Sequence, residues 1–170
     1  MLPISTILSH SLLYGAILSA LLSAFIVATL LFRPMIWIND APPDLRAAAG
    51  PMSAADHRFQ RVSGAVFILL LVALAVMNLV GLRALAGGAL TFWQAALSVF
   101  VVVMTFNTVD LLLLDWLLVE RLLAERIVLP NAPGVRFTTG DAYHFRGFLI
   151  GTGLSLVAAV VIGGVVALVW

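Results

Sequence analysis

The hydrophobic positions divide the chain into four long apolar segments separated by polar stretches. Each segment contains a run of about twenty residues with few or no charges, which is enough to cross roughly 30 Å of hydrocarbon at 1.5 Å per residue. We therefore predict an all-α fold, a polytopic membrane protein whose four transmembrane helices form a compact bundle within a single domain, residues 1–170. The predicted first to fourth spans are residues 12–32, 62–82, 91–119 and 147–170.

Composition agrees with this prediction. Of the 170 residues, 63% are hydrophobic and 10% are charged, whereas a soluble domain is about a quarter charged. Nine basic residues, all arginine, against eight acidic ones leave a net charge of +1. A binding surface for nucleic acid is thereby excluded as the main role. Cysteine is absent, which removes disulfides and thiolate metal sites.

The arginines are distributed unevenly between the two sides of the predicted spans. Eight of them lie in the two long loops, residues 33–61 and 120–146, and only Arg83 lies on the other side. Cytoplasmic loops retain positive charge, so we predict that both long loops are cytoplasmic. The protein is then a multi-pass protein of the cell inner (plasma) membrane with both termini outside the cytoplasm.

Small residues form a ladder along the fourth span. Spans associate where small side chains let backbones approach closely, and the first span carries a similar face. The commoner meaning of such ladders is packing of the first span against the fourth within one chain, and the alternative is an interface with a second copy or a partner. The ladder consists of Gly147, Gly151, Ser155, Ala159, Gly163 and Ala167.

Three polar residues interrupt the third span: Asn107, Asp110 and Asp115. At 100° per residue, Asn107 lies about 60° from Asp110 and about 80° from Asp115 on the other side, so one broad face holds all three. If Trp116 marks the inner interface, Asp110 lies roughly 9 Å inside the hydrocarbon. An ionised aspartate there costs about 2.5 to 3.5 kcal/mol, so this cluster is the candidate site.

Depth along the spans limits the partners of this cluster. Ser23 on the first span and Thr152 or Ser155 on the fourth are level with Asp110. Asp115 is close enough to the interface to meet other side chains, which are Arg61, Arg146, His57 and His144. Three interpretations of this cluster remain open. It is a network of salt bridges and hydrogen bonds that fixes helix register, a site for proton or ion handling, or a catalytic or metal site.

The two long loops resemble each other and suggest two repeated helical hairpins. Each contains an Asn, Ala and Pro close together and then a capping pattern, Ser53 with Asp56 and Thr138 with Asp141. In such a pattern a hydroxyl and an acid three residues later satisfy the free amides at a helix start. A short amphipathic helix is expected in the first loop, between Pro42 and Gly50.

Several common catalytic and ligand-binding motifs are absent from the sequence. It has no glycine-rich phosphate loop, no His-Glu-x-x-His and no Gly-x-Ser-x-Gly. Asp56, His57, Asp141 and His144 could ligate zinc or manganese, but histidines at helix starts more often make interfacial hydrogen bonds. The sequence therefore predicts no metal site, identifies no cofactor and favours a protein that is not an enzyme.

The expected function is that of a small integral membrane protein, a non-catalytic subunit or accessory protein of a larger membrane assembly or a homo-oligomer. Its partners would be the lipid bilayer and other membrane proteins. One alternative is a small proton- or ion-coupled carrier acting as an oligomer. Another is a membrane enzyme acting on lipid head groups, with Asp110 or Asp115 as base or metal ligand.

Overall fold

A computed structural model describes residues 2–170, and its regular structure is helical. Four helices are long and apolar enough to cross a membrane, which is the number predicted. The first to fourth spans are Ile4–Phe32, Ala54–Leu85, Phe92–Leu123 and Asp141–Val169.

The helices extend beyond the apolar runs because polar residues at their ends continue them. The second span begins at Ala54, where the predicted capping box of Ser53 and Asp56 is present. The third span begins after Thr91, which forms a second capping box with Gln94. The first span ends at Phe32, shortly before Pro34. Proline has no backbone N–H to donate, so it cannot continue the helical hydrogen bonds.

The third span occupies a central position among the four. It packs against both the first and the fourth spans, and the second span packs mainly on the first. Gly15 of the first span faces Thr105, and Gly163 of the fourth span faces Ala96. The expected packing of the first span against the fourth is therefore wrong, because the small-residue face of each is directed at the third span.

The long loops at the arginine-rich end fold together over the ends of the spans. The first loop contains a 3₁₀ helix, Pro34–Asp40, and the expected short helix, Pro43–Ala49. The side-chain amide of Asn131 in the second loop donates to the carbonyl oxygen of Ala49 at 2.9 Å. Apolar side chains from both loops form one buried cluster with the ends of the first and third spans. These are Leu30, Met35, Ile38, Ala41, Leu45, Ala49, Val119, Ile127, Leu129 and Phe137.

The third span changes its helical form halfway along. Phe92–Val109 is an α-helix, and Asp110–Leu123 is a π-helix, in which hydrogen bonds join residues five apart. Such helices are rare, occur mostly as single turns inside α-helices, and are frequent at functional sites. The change begins at Asp110, so the predicted polar cluster lies at the junction.

The caps of the two hairpins differ, and the predicted repeat is not confirmed. Ser53 caps the second span as expected. The fourth span begins after Gly140, and no side chain of the residues at this helix start caps it. The expected pairing of Thr138 with Asp141 is wrong. The reason is that Glu120 of the third span takes the place of the cap, as described below.

Candidate functional site

A cavity of about 570 Å³ lies between the spans near the arginine-rich end. All four spans and both long loops contribute to its wall. Its polar lining includes the three residues singled out in the third span, Asn107, Asp110 and Asp115, together with Asp40 and His144. The rest of the wall is mainly apolar and aromatic. This volume is typical of small-molecule sites, which range from about 300 to 1,000 Å³.

The π-helix arranges three acidic residues as a ladder along the third span. Asp110, Asp115 and Glu120 are five residues apart, so in a π-helix they lie close to one face. In an α-helix the same spacing would turn successive residues by about 140°. Asp110 and Asp115 therefore share the cavity wall, and Glu120 follows them toward the arginine-rich end. We name these three residues the acidic ladder.

His144 of the fourth span connects Asp115 and Glu120, the two members of the acidic ladder nearer the arginine-rich end. Its Nδ1 lies 3.0 Å from Oδ2 of Asp115, and its Nε2 lies 3.0 Å from Oε1 of Glu120. The side chains of His144 and Glu120 are only 12% and 11% exposed, and that of Asp115 is 23% exposed. Both ring nitrogens of this histidine thus face a carboxylate in a partly buried environment.

Glu120 also closes the start of the fourth span. Its Oε1 accepts hydrogen bonds from the backbone amides of Thr139 at 2.6 Å and Gly140 at 2.9 Å. The hydroxyl of Thr139 donates to the same oxygen at 2.9 Å and also contacts Nε2 of His144. Asp141, the expected cap, instead pairs with Arg121 at 3.1 Å on the surface.

Asn107 joins the third span to the fourth. Its side-chain amide donates to the carbonyl oxygen of Phe148 at 3.1 Å and to the hydroxyl of Thr152 at 3.3 Å. Thr152 was expected to be level with Asp110, and it pairs with Asn107 instead. The side chain of Asp110 makes no hydrogen bond within residues 2–170, although it lines the cavity.

The other expected partners are placed elsewhere. Of the four side chains proposed for Asp115, only His144 contacts it, because Arg61 bonds to the backbone of His57, and His57 and Arg146 are exposed. The hydroxyl of Ser155 donates to Gly151 within its own helix. The hydroxyl of Ser23 is buried and finds no partner in the part of the chain that the structure describes.

The middle of the small-residue ladder on the fourth span faces the protein interior. Ser155, Ala159 and Gly163 are buried, and a side chain at Gly151 would collide with Asn107. Gly147 and Ala167, at the two ends of the ladder, are exposed, and Gly147 lines the cavity.

Asp40 approaches the cavity from the 3₁₀ helix of the first loop. It also lines a smaller cavity of about 260 Å³, together with Trp37 and Phe67. Although its side chain is open to these cavities, burial among the surrounding protein atoms raises the pKa of Asp40 above its ordinary value.

The residues considered for a metal do not converge. Asp56 pairs with Arg33 at 3.3 Å, Asp141 pairs with Arg121, and His144 lies between two carboxylates of the third span. Within residues 2–170, no group of three or more histidine, aspartate or glutamate side chains is placed to hold a metal ion.

Glu120 is the site residue that sequence reasoning missed, because it was assigned to the second loop. A signal was present: Asp110, Asp115, Glu120 and Glu125 recur every five residues. This spacing would turn successive residues by about 140° in an α-helix, whereas it matches the five-residue spacing of hydrogen bonds in a π-helix.

A histidine between two carboxylates can accept a proton at one nitrogen and release one from the other. With Asp110 and Asp115 at the cavity, the arrangement can pass protons between the arginine-rich end and the membrane interior.

A comparison of the chain with protein-family models, with curated proteins and with solved structures finds no match.

Proposed function

We propose that this integral membrane protein is a small proton-coupled carrier, in which the acidic ladder and His144 pass protons between the arginine-rich end and the cavity. The observation that supports this most is the position of His144, 3.0 Å from Asp115 on one side and 3.0 Å from Glu120 on the other. A subunit that only fixed its own helices would need neither this chain of titratable groups nor a cavity beside it.

The proton steps balance at each atom. A proton from the Glu120 side binds Nε2 of neutral His144, and the proton on Nδ1 then leaves to a carboxylate oxygen of Asp115. Asp110, one π-helical turn further into the membrane, is the next acceptor. The imidazole returns to its first tautomer by ring rotation or by the reverse transfer.

The location of Asp110 suits the end of such a path that lies within the membrane. A permanently ionised carboxylate inside a membrane is costly, and intramembrane acidic residues commonly mark proton or substrate pathways. The carboxyl group of Asp110 has no hydrogen-bond partner among residues 2–170, so it remains available to the contents of the cavity.

Proton flux into liposomes containing the purified protein tests this proposal. A potassium ionophore sets the membrane potential, and an internal pH-sensitive dye reports the protons that cross. The wild-type protein should carry protons faster than empty liposomes. Asp110→Asn and His144→Gln should each lower the flux by about tenfold or more, because a positioned proton acceptor is lost.

Glu125→Gln is the matched control, since Glu125 continues the five-residue spacing but is exposed. It should leave the flux unchanged. Circular dichroism and thermal stability establish that each variant folds. If folded His144→Gln protein carries protons at the wild-type rate, the proposed relay is wrong.

A subunit of a larger assembly or a homo-oligomer is the second candidate, and the outer face of the fourth span favours it. Gly153 and Gly164 are about 20° apart on the helix, roughly opposite the face that packs on the third span. A Cβ at either position would meet nothing within 4 Å, so this face is smooth enough for another helix.

The mass of the complex in mild detergent tests the second candidate. Gly153→Leu with Gly164→Leu should dissociate a dimer or a partner, whereas Val161→Leu, an exposed substitution on the same helix, should not. If the wild-type protein, the double glycine variant and Val161→Leu all migrate as single chains, the outer face contacts only lipid.

We also infer that the arginine-rich end faces the cytoplasm, so that both termini lie outside. The absence of native cysteine allows a direct test. A cysteine at exposed Ala89 should react with an impermeant thiol reagent in intact cells, and one at exposed Gly134 should react only after the cells are opened. The opposite pattern would reverse the orientation.

A further inference from the structure

We infer that the cavity binds a monovalent organic cation with an apolar body, which it receives from the bilayer. This inference rests on the proposed carrier function and names the class of substrate. It follows from the charge of the cavity, its aromatic lining and the position of its opening.

The charge of the cavity favours a cation. Three carboxyl groups, from Asp40, Asp110 and Asp115, line it, and His144 is the only lining side chain among the described residues that can carry a positive charge. None of the arginines is in that lining. Opposite charges attract strongly where water is scarce, so an anion or a phosphate head group is disfavoured there.

The lining favours an organic cation over a metal ion. Five aromatic side chains contribute to the wall, and aromatic faces attract ammonium-type cations within about 6 Å of the ring centre. Carboxylates and histidine, by contrast, do not gather here in a metal-binding group within residues 2–170. The aromatic residues are Trp37, Phe67, Phe106, Phe137 and Tyr143.

The opening of the cavity favours a ligand with an apolar body. Phe67 of the second span and Leu154 of the fourth both line the cavity, although these two spans do not pack against each other. Leu154 and Ile150 are 65% and 56% exposed. The cavity therefore opens between the second and fourth spans toward the bilayer, where an amphiphilic cation partitions.

Equilibrium binding of two probes of the same shape and opposite charge tests the inference. Radiolabelled tetraphenylphosphonium is a permanent cation, and tetraphenylborate is the corresponding anion. The purified protein in detergent or lipid nanodiscs should bind about one tetraphenylphosphonium per chain in a saturable manner, and tetraphenylborate should show no saturable site.

Variants assign the binding to the cavity. Asp110→Asn should weaken tetraphenylphosphonium binding by about tenfold or more, because a charge partner with little water around it is lost. Phe106→Leu should weaken it several-fold by removing an aromatic face. Asp44→Asn, which removes an equal charge from the exposed short helix, should leave binding unchanged.

The possible results separate this inference from the proposed function. Equal binding of the two probes, or full affinity in Asp110→Asn, would show that the cavity does not select cations. If the cation binds while His144→Gln still carries protons, the binding site stands and the relay fails. If proton flux behaves as proposed but no probe binds, the relay stands and the substrate class is wrong.

Discussion

Gly151 of the fourth span approaches Asn107 of the third so closely that a Cβ atom at Gly151 would lie 2.5 Å from Oδ1 of Asn107. The same amide group bonds to Phe148 and Thr152 on the fourth span. Contact between the two spans at this depth thus depends on one residue without a side chain and one polar side chain that needs the space.

The first prediction is that Gly151→Ala destabilises the protein. The added methyl group must displace Asn107 from its two hydrogen bonds, and overpacking of this kind costs about 1 to 3 kcal/mol. Gly153→Ala, two residues along the same helix, adds the same group where nothing lies within 4 Å. Thermal unfolding in detergent compares them, and equal midpoints would show that the close approach is unimportant.

The second prediction separates two aspartates of the acidic ladder by their contacts. Asp115→Asn loses a charge-assisted contact with His144 and should cost about 1 to 2 kcal/mol, reduced from the buried value because the side chain is partly exposed. Asp110→Asn removes no hydrogen bond within residues 2–170 and should leave stability unchanged or higher.

Stability measurements on these two aspartate variants, made side by side in one detergent, decide between the roles. A loss of several kcal/mol in Asp110→Asn would mean that Asp110 is an ionised partner in a buried pair. Its proposed part in proton transfer would then lose its main support.

The third prediction concerns the closure of the fourth span by Glu120. Glu120→Ala leaves the amides of Thr139 and Gly140 without their acceptor, which should cost about 1 to 2 kcal/mol, as for the loss of a helix cap. Glu120→Gln keeps an oxygen acceptor and should cost less. Glu125→Ala, at an exposed position, should have no effect, and the three variants can be ranked by thermal unfolding.

The four spans could be predicted from the sequence because hydropathy over twenty residues reports directly on the energy of insertion into a bilayer. The Ser53 cap could be predicted for a similar reason, since it depends on residues only three apart. The packing of the fourth span could not. Small residues indicate that some helix approaches, and the sequence does not say whether that helix is the first or the third.

The candidate site was predicted only in part. Asn107, Asp110 and Asp115 stand out because polar residues inside a span are costly. Their partners were assigned from α-helical geometry, and the π-helix from Asp110 onward changes which residues share a face. Glu120 falls in the predicted second loop, so the predicted site includes neither this residue nor its contact with His144, which joins residues 24 apart in the chain.

The last prediction concerns a polar cluster on the other side of the membrane from the candidate site. Ser98 of the third span accepts a hydrogen bond from the side-chain amide of Asn78 at 2.7 Å, and its hydroxyl lies 2.7 Å from that of Ser11. All three residues are fully buried and come from three different spans. Ser98→Ala should therefore cost about 1 to 2 kcal/mol, because two buried polar groups lose their partner where water cannot replace it.

Ser9→Ala is the matched control, since the Ser9 hydroxyl is exposed and bonds only within its own helix. Unfolding in detergent of the wild-type protein, Ser11→Ala, Ser98→Ala and the double variant gives the coupling energy between the two serines. A coupling near zero, with Ser98→Ala no less stable than Ser9→Ala, would show that this cluster contributes nothing to the association of the three spans.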